Sequence, residues 1–207
     1  MSGVGLAEQP DKGRGLDTSR DPRHGDQAAG NATSGALGTK YFVVAGVLAA
    51  FLSVLFFVMR DAGAAAHLVQ GPQALIEPLV ALVGLTGVVW VLMVLFRNYA
   101  FIRGRVSERY FRTFTVDSPP EWVERPTRAY MNLLELPILF YVVSLLMLVT
   151  QKFDSVQVSL AWLFVATRSA HAFIYIVFNY VPLRFVSYLS GVITLAVLWA
   201  RFAGQSF

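Results

Sequence analysis

The chain contains no cysteine. That excludes disulfides, thiolate metal sites and a cysteine nucleophile, without deciding the compartment. Histidine is nearly absent: His24, His67 and His171 are too few and too scattered for a metal site built on imidazole. Charge is also scarce. Only 14% of the 207 residues are Asp, Glu, Lys or Arg, against about 25% in soluble domains. What replaces charge is apolar surface, since 56% of the chain is hydrophobic, with sixteen Phe, eight Tyr and four Trp. A backbone in lipid must satisfy its own hydrogen bonds as helices or as a closed barrel. The apolar runs are continuous and do not alternate with polar residues, which selects helices.

Five such runs occur, at Tyr41–Met59, Ala74–Phe96, Ala129–Thr150, Val156–Phe178 and Pro182–Phe202. Each is near the roughly 20 residues needed to cross the hydrocarbon. The expected fold class is an all-α membrane protein, a four-helix transmembrane bundle plus one extra N-terminal transmembrane helix at 41–59. A signal peptide is the rival for the first run, because Ala64-Ala65-Ala66 resembles a cleavage site. The run is longer than the 7–15 apolar residues typical of such peptides, which favours an uncleaved span. Residues 1–40 are rich in Gly, Ala, Ser and Asp and nearly free of large apolar groups, so they read as a disordered tail. Its acids argue against an organellar transit peptide.

Basic residues set the expected orientation. Arg97, Arg103, Arg105, Arg109, Arg112 and Arg125 lie between the second and third runs, Arg184 lies near the start of the last, and the tail adds more. The opposite side has Arg60, Lys152 and Arg201. The positive-inside rule then places the N-terminus in the cytoplasm, and the compact loops suit a bacterial inner membrane. The segment Arg97–Arg112, with Tyr99, Phe101, Tyr110 and Phe111 interleaved, reads as a stretch that meets anionic lipid in the bilayer rather than nucleic acid.

Ionisable residues inside apolar helices are expensive and normally face the bundle interior. Arg128, Asn132 and Glu135 are spaced i, i+4, i+7 and share one helical face, followed by Pro137. Arg168, His171 and Tyr175 are spaced i, i+3, i+7, with Asn179 one turn on. Alternating topology puts both groups in the cytoplasmic half, where together they form a pocket for a small anionic or zwitterionic ligand. Arg would hold carboxylates and Glu135 an ammonium. The competing structural reading is that Arg128, Glu135 and Arg168 pair with one another and lock the helices.

The run from Glu124 to Phe140, with Arg128, Asn132, Glu135 and Pro137, resembles the second-helix signature of the MAPEG family, membrane-associated proteins in eicosanoid and glutathione metabolism. Arg168, His171 and Tyr175 are similar to the family's third-helix pattern. The resemblance covers about residues 74–203. It implies a four-helix protomer in a homotrimer, with glutathione as co-substrate between protomers, held by Arg128, Asn132, Glu135, Arg168, His171 and Tyr175. An Arg stabilises the thiolate for attack on a hydrophobic electrophile or a peroxide. Members that conjugate leukotriene precursors carry that Arg about two turns beyond the Tyr. Here Pro182 stands at that place and Arg184 follows two positions later, which makes Arg184 the candidate catalytic residue. The same members have Tyr after the helix-two Glu, where this chain has Leu136, and His171 stands where some have Tyr. The resemblance thus implies a glutathione-dependent transferase or peroxidase. The alternative is a non-catalytic scaffold or binding protein on the same fold. A transporter is disfavoured by the lack of an inverted repeat or a broken span.

Overall fold

The computed structural model describes residues 45–60, 71–106, 110 and 119–206. The tail expected over 1–40, and Arg109 and Arg112 of the basic loop, lie outside these residues. The described elements are α1 (Ala45–Arg60), α2 (Gln73–Ile102), α3 (Glu121–Thr150), α4 (Ser155–Phe173) continued by a π-helical turn (Ile174–Phe178), and α5 (Val181–Ser206). Four helices, α2, α3, α4 with its π turn, and α5, are long and apolar enough to cross a membrane.

Two helices outrun their hydropathy signal. At 30 residues each, α2 and α3 are about 45 Å long, more than the roughly 30 Å of hydrocarbon. The apolar runs Ala74–Phe96 and Ala129–Thr150 mark only the lipid-embedded parts. The excess turns carry Arg97, Arg125 and Arg128 into the headgroup region, where polar residues cost little. Local signals stop them there. At the end of α2, Gly104 takes φ +64, Gly104 N–H bonds to the Phe101 carbonyl and Arg105 N–H to that of Ala100, both at 2.9 Å. This is the left-handed glycine closure that satisfies terminal carbonyls. Pro119 and Pro120 precede α3, and Glu121 and Glu124 in its first turn oppose the positive end of the helix dipole.

The first expected span is shorter as described. α1 has 16 helical residues, about 24 Å, and Tyr41 to Val44 of the expected run lie outside the described residues. Phe51, Leu55, Val58 and Met59 form its inner stripe and pack on the main core, at the helical spacing that builds one apolar face.

That core is built by Leu75, Leu82, Phe140, Val143, Met147, Leu160, Phe164, Leu195 and Leu198, with Phe140 and Phe164 stacked at 4.7 Å. α2 packs chiefly on α3 and α4 on α5, and α2 also packs on α4. Outward-facing Val80, Val83, Val88, Leu139, Leu145 and Val149 are left exposed, a surface suited to lipid and not to water. Consecutive antiparallel helices bring the end of α2, the start of α3, the end of α4 and the start of α5 to one end of the bundle. There Trp122 of α3 lies 5.8 Å from Phe96 and 5.9 Å from Tyr99 of α2.

At the other end, Asp154 ties α4 to α5. Its Oδ1 accepts the N–H groups of Val156 and Gln157, while the Gln157 side chain accepts the Asp154 N–H at 2.7 Å. The second carboxylate oxygen accepts from Arg201 at 2.8 Å and from Gln205 at 3.1 Å. One residue is therefore both cap and ion-pair partner. Asp154→Ala removes the cap, worth about 1 kcal/mol, and strips Arg201 of its counter-ion. We expect a lower thermal midpoint in detergent, with a smaller drop for Asp154→Asn, which keeps a capping oxygen.

Candidate functional site

The site lies at the α4–α5 turn. The π turn is defined by Asn179 N–H bonding back to the Ile174 carbonyl at 2.7 Å. This widened turn carries Tyr175, and such bulges are frequent at functional sites. Asn179 ends it in the left-handed conformation, φ 49 and ψ 30, which Asn tolerates better than most residues. The chain reverses and α5 starts at Val181, with Pro182 in its first turn, where no intrahelical N–H bond is lost.

A cavity of about 290 Å³ opens here, lined by Asn132, His171, Tyr175, Val181, Arg184, Phe185 and Tyr188. Four residues singled out from the sequence meet in it: Asn132 from α3, His171 and Tyr175 from α4 and its π turn, and Arg184 from α5. The Arg184 guanidinium stacks on the Tyr175 ring at 3.7 Å from its centroid, and its Nη1 donates to the Asn179 side-chain oxygen at 2.6 Å. His171 Nδ1 lies 3.1 Å from both the Arg184 carbonyl and the Ser187 hydroxyl. A carbonyl only accepts, so Nδ1 carries the hydrogen and Nε2 is left as an acceptor. His171 Nε2 and Arg184 Nε are buried without a hydrogen-bond partner among the described residues. No carboxylate is among the lining residues.

Arg168 is placed differently. It is 1% exposed, lies outside the cavity lining and donates from Nη2 to the Ser187 and Tyr188 carbonyls of α5, each at 3.0 Å. Its guanidinium also sits 5.6 Å from the Phe164 ring centroid and 5.3 Å from that of Tyr188. Space for it comes from Gly191, where an added Cβ would fall 2.7 Å from Cζ and 2.8 Å from Nε of Arg168. Arg128 and Glu135 of α3 are not among the cavity-lining residues, and both are exposed. Arg128 lies 3.7 Å from Glu124, and Glu135 has no hydrogen bond or ion pair among the described residues. The interlocked set of Arg128, Glu135 and Arg168 is therefore not formed within this chain. Glu124 also accepts from the Tyr110 hydroxyl at 2.9 Å, and burial, followed by that hydrogen bond, raises the Tyr110 pKa above its usual value.

The family model for the MAPEG family matches residues 75–204, covering α2 to α5. The chain belongs to the MAPEG family. No curated protein and no solved structure matches it. The MAPEG region thus contains the whole cavity, while α1 precedes it.

Sequence reasoning did not single out Glu121, Ser187, Tyr188 or Gly191. Glu121 reads as an ordinary first-turn acid. Ser187 and Tyr188 act in part through backbone carbonyls, which leave no trace in residue type. Gly191 in an apolar helix carries a weak signal of close approach, and nothing local names Arg168 as what approaches. Gly191→Ala should drive the guanidinium off its two carbonyls and strain the packing, at a cost of about 1–3 kcal/mol. Thermal unfolding of the detergent-solubilised protein measures this, and an unchanged midpoint would mean Arg168 has other room.

Proposed function

We propose that this MAPEG protein binds glutathione as co-substrate at the α4–α5 turn and uses its thiol on hydrophobic electrophiles or peroxides. The observation that carries the reading is Arg184, stacked at 3.7 Å on Tyr175 in a cavity whose lining offers cationic and dipolar groups but no carboxylate. Such a site favours an anion. A thiol here loses its proton more readily because the guanidinium stabilises the thiolate, the reactive nucleophile. The thiolate sulfur then bonds to the electrophilic carbon as a leaving group departs or a strained ring opens. With a hydroperoxide the thiolate sulfur takes the outer oxygen as the O–O bond breaks, and the alkoxide leaves and is protonated to the alcohol. A second glutathione thiol then displaces water from the resulting sulfenic acid to give the disulfide.

A homotrimer suits this reading. The cavity within one chain is at the small end for ligand sites, which run about 300–1,000 Å³. An unpaired Glu135 facing hydrocarbon is costly. A neighbouring protomer set against the outer face of α3 relieves that cost and lets Arg128 and Glu135 extend the ligand site, with Arg168 supporting it from behind. The basic residues at this end, Arg97, Arg103, Arg105, Arg125, Arg128 and Arg184, against Arg60, Lys152 and Arg201, support a cytoplasmic site and N-terminus, in a bacterial inner membrane. Leu136, where conjugating members carry Tyr, favours a second reading: a binding protein without turnover.

Equilibrium glutathione binding to the purified protein tests the first reading. Arg184→Ala should weaken binding by at least about tenfold, the value of a lost charge-assisted hydrogen bond, with the protein still folded. Absence of saturable binding in the unmutated protein would sink it. Binding without turnover of model electrophiles or hydroperoxides would select the second.

A further inference from the structure

We infer that Asn179 is a positioning residue, which together with Glu121 presents the Arg184 guanidinium to the cavity. Arg184 has a long side chain with many rotamers, and nothing in its own helix orients it. Two contacts do so: the Tyr175 ring beneath it and the Asn179 side-chain oxygen at 2.6 Å. The amide has a definite direction. Its Nδ2 donates to Glu121, and a carboxylate can only accept, so the nitrogen must face Glu121 and the oxygen must face Arg184. Glu121 is itself held by Arg125, with contacts of 3.1 and 3.3 Å, and Arg125 reaches the Val177 carbonyl of the π turn at 3.4 Å. A carboxylate on α3 therefore orients an amide at the end of α4, which orients a guanidinium on α5.

Residue type matters at each step. Position 179 needs a left-handed backbone, an acceptor for Arg184 and a donor for Glu121. Gly supplies only the first and Asp lacks the donor, whereas Asn supplies all three. The π turn adds to this, because its extra residue sets where Asn179 falls relative to Tyr175, so that anchor and ring address one guanidinium. With Pro182 in the first turn of α5, this arrangement is how Arg184 reaches the cavity.

The functional consequence rests on the glutathione reading, but the geometry does not. Glutathione affinity is measured for the full-length protein and for Asn179→Gly, Asn179→Asp, Arg184→Ala and the Asn179→Gly/Arg184→Ala pair. In parallel, the rate of phenylglyoxal modification of Arg184 is followed without ligand by peptide mass spectrometry. Asn179→Gly keeps the turn but drops the anchor. It should lower affinity about tenfold, add no loss on top of Arg184→Ala, and speed Arg184 modification severalfold. Asn179→Asp keeps an acceptor for Arg184 but loses the donor to Glu121 and sets a carboxylate on the guanidinium. It should slow Arg184 modification relative to Asn179→Gly without restoring glutathione affinity. Additive losses in the double variant, or unchanged affinity and unchanged modification in Asn179→Gly, would overturn the inference. If the unmutated protein binds no glutathione, the ligand reading fails and the modification rates still decide the positioning role. Should Asn179→Gly not fold, Glu121→Ala, which removes the acceptor for Asn179 Nδ2, reads the same relay, with faster Arg184 modification expected and an unchanged rate overturning it.

Discussion

A guanidinium removed from water needs acceptors, and Arg168 finds them for one nitrogen, Nη2, in the backbone of α5. Helical carbonyls are normally occupied by their own ladder, yet each retains a second lone pair. Nη2 uses those of Ser187 and Tyr188, and the lack of a side chain at Gly191 lets it come close enough. Burying a cation this deeply constrains the rotation and axial register of α4 against α5. Once that register is set, His171 meets the Arg184 carbonyl and the Ser187 hydroxyl, and Tyr175 meets the Arg184 side chain. The cavity follows from the helix pair that Arg168 holds.

Two arginines thus divide the work by depth. Arg168 is buried and directs Nη2 to two protein carbonyls, while its Nε and Nη1 have no hydrogen-bond partner among the described residues. Arg184 sits on the first turn of α5, half within reach of the aqueous end, with Nε unpartnered and its flat face on an aromatic ring. A cation stabilised by a ring and a neutral amide keeps its charge available to an anion, which a carboxylate partner would have neutralised. The carboxylate in this network, Glu121, is placed one amide away. It orients the site without entering it.

Much of the fold was legible in the chain. Continuous apolar runs and the shortage of charge required spanning helices, and Arg128, Asn132, Glu135 and Pro137 carried the resemblance that the match over residues 75–204 bears out as MAPEG membership. Helix ends were less legible, because hydropathy reports the lipid boundary, while α2 and α3 continue into the headgroup region until Gly104 or Pro120 stops them. The site residues divide in the same way. Helical spacing put Arg168, His171 and Tyr175 on one side of α4. It could not say that a single face contains both a residue that turns inward to α5 and residues that line a cavity.

By itself, the sequence determined what is local and additive: which segments cross the bilayer, which residues share a helical face, and which family the pattern belongs to. Hydropathy and periodicity are sums along one helix and need no knowledge of neighbours. Only the tertiary structure decided which partner each polar group takes. That choice depends on how helices rotate and slide against one another, and here on a π turn and a left-handed Asn179 that shift α5 relative to Tyr175. A residue's chemistry is written in its type. Whether Arg168 or Arg184 faces the cavity is a matter of angles and ångströms between elements distant in the chain, and these arise only when the helices pack.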